Sequence, residues 1–562
     1  MTNSVPTNSV PTNSARTDAA LIDQSPAWQA LLKHQQTLSS TTLETLFAQN
    51  PQRGQQFKAA AAGLYFDYSK NLLNDETLNL LNDLANSAQL PTAIEELFSG
   101  ADVNNTEQRP ALHTALRNPQ SDSRKLASPL PQLLSTMNTF ADRLRQGNER
   151  GASGKAFRDV INLGIGGSDL GPRMIVAAFP ERQAEGLHSH FAANVDSDVL
   201  KGILGQCQPE TTLFLISSKS FSTLETLSNA GLARQWLSDA GFDNAQIACH
   251  FAAMTSQIDK ATAWGIKPER IFPMDEGVGG RFSLWSSIGL PIAIALGSSA
   301  FKQLLDGASA MDKHFRSAAF KENLPVLHGL LSIWSINFNH HHSRAVLPYI
   351  HRLAELPNYL QQLTMESLGK RVTKTGQLCT YATGPVIWGG EGTNGQHSYH
   401  QLLLQGIGAV PVDFIATAKA HCEPLQHQYL LANCFAQSRA LMLGKSYEQA
   451  LTETRASGLN EEAAAKLALH KAIPGNRVSN TLLLEEFTPR TLGALLALYE
   501  HSVYVQSVIW QINAFDQWAV ELGKTMSSTV FEALSQADNN IELDSSSQTL
   551  IDHIRTQPSA QS

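Results

Sequence analysis

DVINLGIGGSDLGPRMI, residues 159–175, opens on a β-branched apolar run, breaks at Gly164, Gly166 and Gly167, and resumes in a helical apolar pattern. A short strand that ends in glycines and passes directly into a helix is a βα turn, where backbone N–H groups can cradle an anion. The same grammar recurs in HFAANVDS (190–197), ETTLFLISSKSFSTLETLSNAGLARQWL (210–237), NAQIACHFAAMTS (244–256) with helical KATAWGI (260–266), and RIFPMDEGVGGRFSLWSSIGLPIAIALG (270–297). Short apolar runs alternating with helices predict a doubly wound, mostly parallel α/β sheet whose site lies where the strands end.

Outward from this unit, WQALLKHQQTLSSTTLETLFAQ (28–49), DETLNLLNDLANSAQLPTAIEELFSG (75–100) and LPQLLSTMNTFADRLRQG (130–147) carry leucines at helical offsets. They predict a mainly helical segment over 19–149. Downstream, VLHGLLSIWSINFNHH (326–341) reads as helix, AVLPYI (345–350) as strand and YLQQLTMESLGK (359–370) as helix. CTYATGPVIWGG (379–390) and AVPVDFIATA (409–418) read as strands flanking the helix SYHQLLLQG (398–406). The predicted organisation is therefore a first α/β domain over 150–299, a second over 300–510, and a terminal helix with a polar tail over 511–562. Residues 1–18 repeat a TNSVP unit without a charged start or apolar centre, and are expected to be disordered rather than a secretory signal.

The 562 residues contain 42 Lys plus Arg against 50 Asp plus Glu, a net charge of −8, and 42% are hydrophobic. That composition supports large cores and carries no basic footprint for nucleic acid. No apolar run approaches the ~20 residues needed to span a bilayer, so no membrane partner is expected. Cys207, Cys249, Cys379, Cys422 and Cys434 are odd in number and lack CxxC pairs, which favours reduced thiols and a cytoplasmic location. His340, His341 and His342 are adjacent and do not converge as an i,i+4 metal pair would, so no metal is expected there.

The glycine turn 164–169 departs from a dinucleotide fingerprint at Asp169 and lacks the Lys-Ser/Thr ending of a P-loop, leaving either a small-anion turn or a merely tight one. In SKSFSTLET (218–226), hydroxyls at Ser220, Thr223 and Thr226 converge near a helix start, as a small phosphate cup or as ordinary capping. Arg281 follows two glycines and either meets developing charge or lies on the surface. Glu366 is one proton-transfer candidate among many, and His397 in GGEGTNGQH (389–397) is either an acid/base imidazole or a turn histidine. Gln517, Glu521 and Lys524 stand at i, i+4 and i+7, either facing a site or forming an exposed ion-paired face.

Taken together, VINLGIGGSDLGP (160–172), SKSFSTLET (218–226), GGRFSLWSSIGLP (279–291), MESLGK (365–370), GTNGQHSYHQLL (392–403) and FDQWAVELGK (515–524), with NNTEQRPALHTALRNP (104–119) upstream, resemble the phosphoglucose isomerase family over roughly residues 104–524. The resemblance implies two sugar-isomerase (SIS) domains with extra terminal helices, a homodimer, and reversible conversion of D-glucose 6-phosphate to D-fructose 6-phosphate in glycolysis and gluconeogenesis. It further implies that Gly167, Ser168, Ser218, Lys219, Ser220, Thr223 and Thr226 approach the sugar phosphate, while Arg281, Gln362 and Gln517 border the sugar. By the same resemblance Glu366 is the base, His397 and Lys524 assist ring opening, and His397 enters the neighbouring subunit's site. No cofactor and no metal are implied. Three departures stand out: SKSFST for the common SKTFTT, Leu368 for Asn in MESLGK, and Gly390-Glu391-Gly392 for Glu-Pro-Gly. The serines keep donor chemistry, while the Glu391 shift alters the loop's stiffness and the position of its carboxylate. A non-catalytic sugar-phosphate regulator and an isomerase that also accepts mannose 6-phosphate are the rival readings.

Overall fold

The computed structural model describes residues 20–118, 126, 130–535 and 541–557, so the repeat expected to be disordered lies outside the described residues. The chain divides into two compact units, one ending at Ala514 and one beginning at Phe515.

In chain order the strands are β1 (Lys58–Ala61), β2 (Leu64–Asp67), β3 (Asp159–Gly164), β4 (His188–Ala192), β5 (Thr212–Ser217) and β6 (Phe251–Thr255). They continue as β7 (Ile271–Pro273), β8 (Ser343–Pro348), β9 (Val386–Gly389), β10 (Val412–Thr417) and β11 (Ser479–Leu484). The first sheet has the order β4-β3-β5-β6-β7 and is parallel throughout, with Ile161 opposite Phe214 and Leu215 opposite Ala252. Every residue of β3, β5 and β6 is buried, as expected of strands covered by helices on both faces. Ile161, Leu163, Phe214, Ile216, Phe251 and Ala253 pack one such face against Ala230, Ala233 and Leu237 of the helix Leu224–Asp239.

The second sheet runs β1-β2-β11-β10-β8-β9 and is mixed. Its last four strands are parallel, but β2 pairs antiparallel with both β1 and β11. The expected parallel second sheet is therefore mixed, its antiparallel hairpin coming from the mainly helical segment 19–149. Its turn residues Ala62 and Gly63 have φ of 52° and 79°, the two positive values a tight primed turn requires. An alanine run has low strand preference, so pairing with buried β11 determines its conformation.

The helix Pro489–Ile509 is buried along almost its whole length and packs on the helices Ser298–Ser317 and Leu324–Ile333. Two glycines permit the closest crossing: a Cβ on Gly307 would lie 1.7 Å from the Arg490 carbonyl oxygen, and one on Gly493 would lie 2.0 Å from that of Leu304. Beside this crossing Arg117, from the 104–119 marker, is buried between Asp312 (2.7 Å) and Glu500 and stacks on Trp285. That marker therefore holds the core together.

Candidate active site

The loops at the C-terminal ends of β3 and β7 meet the segment 362–367, and the loop after β5 is joined to the β7 loop through Lys219. After β3, Ser168 offers its carbonyl oxygen to Asn162 Nδ2 (3.0 Å), and Asn162 Oδ1 accepts from Ser217 Oγ (2.5 Å). Asn162 thus ties the glycine loop to the end of β5. Gly166 has φ +59°, and a Cβ there would lie 2.9 Å from Gln362 Nε2. A Cβ on Gly167 would lie 1.9 Å from the Gly280 carbonyl oxygen, so the loops bearing Ser168 and Arg281 touch backbone to backbone.

Asp169 is buried, with Oδ2 2.8 Å from Arg173 and Oδ1 lacking a partner among the described residues. Burial is the main cause that raises its pKa to about 6, against the opposing pull of Arg173.

After β5 the chain bends at Phe221, a buried residue at φ +47°, before entering the helix Leu224–Asp239. Thr223 stands at the helix N-cap, yet its hydroxyl pairs with Ser218 Oγ (3.0 Å) and caps no helix amide. The first-turn N–H groups are therefore free of side-chain capping, the arrangement that favours an anion. Ser220 is exposed and accepts from Ser222 Oγ (2.8 Å), while Thr226 is buried with its hydroxyl unpartnered among the described residues. Lys219 Nζ donates to the carbonyl oxygens of Glu276 (2.8 Å) and Val278 (3.0 Å), so its ammonium pins the loop that leads to Arg281. Burial lowers its pKa, with Glu276 opposing.

Arg281 is 2% exposed and its guanidinium donates in three directions. Nε bonds Ser367 Oγ (2.6 Å), Nη2 bonds the Ala514 carbonyl oxygen (2.5 Å), and Nη1 pairs with Glu366 Oε2 at 3.2 Å. Gln362 Nε2 donates to the same Glu366 oxygen at 3.1 Å. Residues Gln362–Glu366 form a single π-helical turn after the helix Leu356–Gln361, and such turns often mark functional positions. Sequence reading missed Ser367, Asn162 and the Ala514 carbonyl, since a serine beside a buried strand or helix carries no distinguishing pattern. Leu368, at the family's usual Asn, is wholly buried beneath this turn.

His397 follows the short helix Gly392–Gly395, which packs on β8 and on the helix Pro424–Leu443. Its ring is exposed and hydrogen-bonds to no described residue. The loop is anchored beside it by Gln396 Nε2 donating to Tyr349 Oη (2.9 Å). Glu391, the displaced carboxylate, pairs with His351 Nδ1 at 2.5 Å. Among the described residues, no hydrogen bond or ion pair joins His397 to Arg281 or Glu366 within one chain. Gln517 precedes, and Lys524 lies on, the helix Trp518–Ser535 of the second unit, where Lys524 Nζ pairs with Glu521 Oε1 at 2.8 Å.

The geometry yields a half-buried carboxylate held by a buried guanidinium and an amide, and, after β5, an uncapped helix start rich in hydroxyls. That combination suits proton abstraction from a small anionic substrate whose charge is anchored at one end.

Comparison with known proteins gives the same direction. Residues 67–551 match the family described as phosphoglucose isomerase. A glucose-6-phosphate isomerase of Marinomonas sp. strain MWYL1 is 48% identical over 533 residues, covering 93% of this chain and 97% of the relative. One from Pseudomonas fluorescens strain Pf0-1 is 49% identical over 537 residues, covering 94% and 97%. The crystal structure of a glucose-6-phosphate isomerase from Chlamydia trachomatis superposes with a TM-score of 0.82 at 29% identity, covering 95% of this chain and 99% of that one.

Proposed function

From the premise that this chain belongs to the phosphoglucose isomerase family and is an aldose–ketose isomerase acting on D-glucose 6-phosphate and D-fructose 6-phosphate, we propose that Glu366 is the group that carries the proton. The observation behind this is the Arg281–Glu366–Gln362 cluster, in which one carboxylate oxygen receives two donors. Glu366 removes the proton from C2 and returns it to C1 through a cis-enediol, with Arg281 offsetting oxyanion charge on the intermediate. Hydrogen and electrons move within the substrate, so the scheme uses no cofactor.

The phosphate is held by Gly167, Ser168, Ser218, Lys219, Ser220, Thr223 and Thr226, drawing on the uncapped amides of the helix Leu224–Asp239. Lys219 serves this cup by fixing the loop 276–278. Gln362 and Gln517 border the sugar. His397 and Lys524 move the proton between O5 and O1 during ring opening. The exposed, unengaged ring of His397 supports its delivery to the site of a second copy in a homodimer. The two sheets are the cores of two SIS domains, over 150–299 and 300–510, flanked by the 19–149 and 511–562 segments. Five free thiols and the absence, among the described residues, of any helix long and apolar enough to cross a membrane support a cytoplasmic protein.

Direct conversion of fructose 6-phosphate by chelator-treated enzyme, with glucose 6-phosphate and mannose 6-phosphate both quantified, tests the assignment. Glucose 6-phosphate is the expected product. Binding without turnover would support the regulator instead, and substantial mannose 6-phosphate would broaden the specificity.

A further inference from the structure

Between the end of β10 and the first turn of the helix Pro424–Leu443, the sequence HCEPLQH places His421, Cys422 and His427 so that one ligand atom of each lies within 4.8 Å of the others. None of these residues takes part in the isomerisation described above. We propose that this trio is a binding site for a borderline-soft divalent cation, with Zn2+ as the best match.

The decisive feature is His427. It is 6% exposed, and neither Nδ1 nor Nε2 has a hydrogen-bond partner among the described residues. Buried imidazoles normally place at least one ring nitrogen in a hydrogen bond, so a ring with both left over is unusual unless something else binds it. Its ring meets that of His421 edge to face, at 5.5 Å between centroids. His421 has Nδ1 oriented by Thr417 Oγ1 at 2.9 Å, which leaves Nε2 as its metal-facing atom, the usual way an outer hydrogen bond fixes a ligand imidazole.

Cys422 is exposed, giving an ion a route to the site from solvent. On binding, the thiol gives its proton to solvent and a metal–sulfur bond forms, while the two imidazoles supply nitrogen lone pairs. Two His and one Cys suit Zn2+ and leave a fourth, solvent-facing position.

A second mixed cluster among the described residues behaves differently. Asp159, His190 and Cys207 also converge, but His190 Nε2 already bonds Asp159 Oδ1 at 3.0 Å. Burial, with Asp159 adding to it, pushes the Cys207 thiol up to about 12, so it keeps its proton.

Tag-free, reduced, chelator-treated protein titrated with Co2+ and then Zn2+ tests the proposal. One Co2+ per chain is expected, with a near-ultraviolet thiolate charge-transfer band that Zn2+ abolishes. Cys422→Ser should remove that band and weaken Zn2+ binding at least about tenfold, leaving isomerase turnover unchanged. His427→Gln should weaken binding similarly; if that variant misfolds, the exposed Cys422→Ser decides the matter. Cys207→Ser should change nothing. No binding at millimolar metal, a band that survives Cys422→Ser, or a band lost in Cys207→Ser overturns the assignment.

Discussion

Arg281 Nη1 lies 3.2 Å from Glu366 Oε2, and the same guanidinium holds Ser367 Oγ and the Ala514 carbonyl oxygen, so the proposed base is fixed by a charge that is itself locked on three sides. A guanidinium fork with this many partners cannot be replaced by the single ammonium of lysine without losing a contact.

Replacing Glu366 with Gln keeps the shape and the Gln362 contact but removes the basic lone pair. It should lower kcat by about a hundredfold or more while KM changes little, as steady-state kinetics on fructose 6-phosphate will read. Turnover near that of the parent enzyme sinks the assignment of Glu366.

Ser220→Ala removes an exposed hydroxyl at the proposed phosphate cup. Hydrogen bonds to charged groups contribute about 1.5–3 kcal/mol, so KM and the inhibition constant for inorganic phosphate should rise roughly tenfold or more with kcat nearly constant. A selective loss of kcat contradicts a phosphate role.

Gly167→Ala tests the backbone contact between the Ser168 and Arg281 loops. The new Cβ would meet the Gly280 carbonyl oxygen at 1.9 Å, so the loops must part. Overpacking of this kind costs about 1–3 kcal/mol of stability, and displacement of Arg281 should cut kcat by more than tenfold. Denaturant unfolding and kinetics on the same variant check both effects, and parent-like values in both refute the contact.

Asp169 gives a pH signature. Its folded pKa of about 6 exceeds the reference 3.8, so the folded state keeps a proton that the unfolded chain releases. This group's contribution therefore falls as pH rises from about 4 to about 6, by roughly 3 kcal/mol in all. Asp169→Asn lacks that loss, and its stability relative to the parent should climb across the same window in urea titrations. A flat difference between the two proteins excludes a desolvated carboxyl at this position.

Mixing inactive Glu366→Gln and His397→Ala proteins, then exchanging subunits, tests delivery of His397 across a dimer. Random pairing makes half of the dimers hybrid, and each hybrid has one site free of both changes, so activity should recover to about a quarter of the parent value. If each subunit uses its own His397, no mixture regains activity.

Much of this was legible in the sequence because apolar strands ending in glycine or serine are locally self-explanatory. β3 with its glycine turn, β5 with SKSFST, and the helix after Thr223 all follow from pattern alone. The Ala-rich hairpin at 58–67 was not, because its strand state is imposed by β11, more than four hundred residues away. β11 itself, SNTLLL, lies beyond AVPVDFIATA in a stretch where the sequence reading assigns no element. The candidate site divides in the same way. Arg281 and Glu366 were nameable as chemical types, but their pairing, the π-helical turn and the support from Ser367 arise only when distant segments pack. Lys219 is a phosphate-cup residue by resemblance, but that its ammonium also ties down the carbonyls of Glu276 and Val278 is set only by packing.

The position of β11 between β2 and β10 also sets the order in which the protein can be made. β2 ends at Asp67 and its partner begins at Ser479, so at translation speeds of about 5–20 residues per second the hairpin waits on the order of 20–80 s for the strand that covers it. β10, complete only at Thr417, presents an unpaired edge over the last part of that interval, while the first sheet, whose strands all lie between residues 159 and 273, can close well before it. Biogenesis is therefore two-phased: an early-forming half, followed by a half that completes only after nearly the whole chain has left the ribosome, with its open edge the natural point of chaperone engagement.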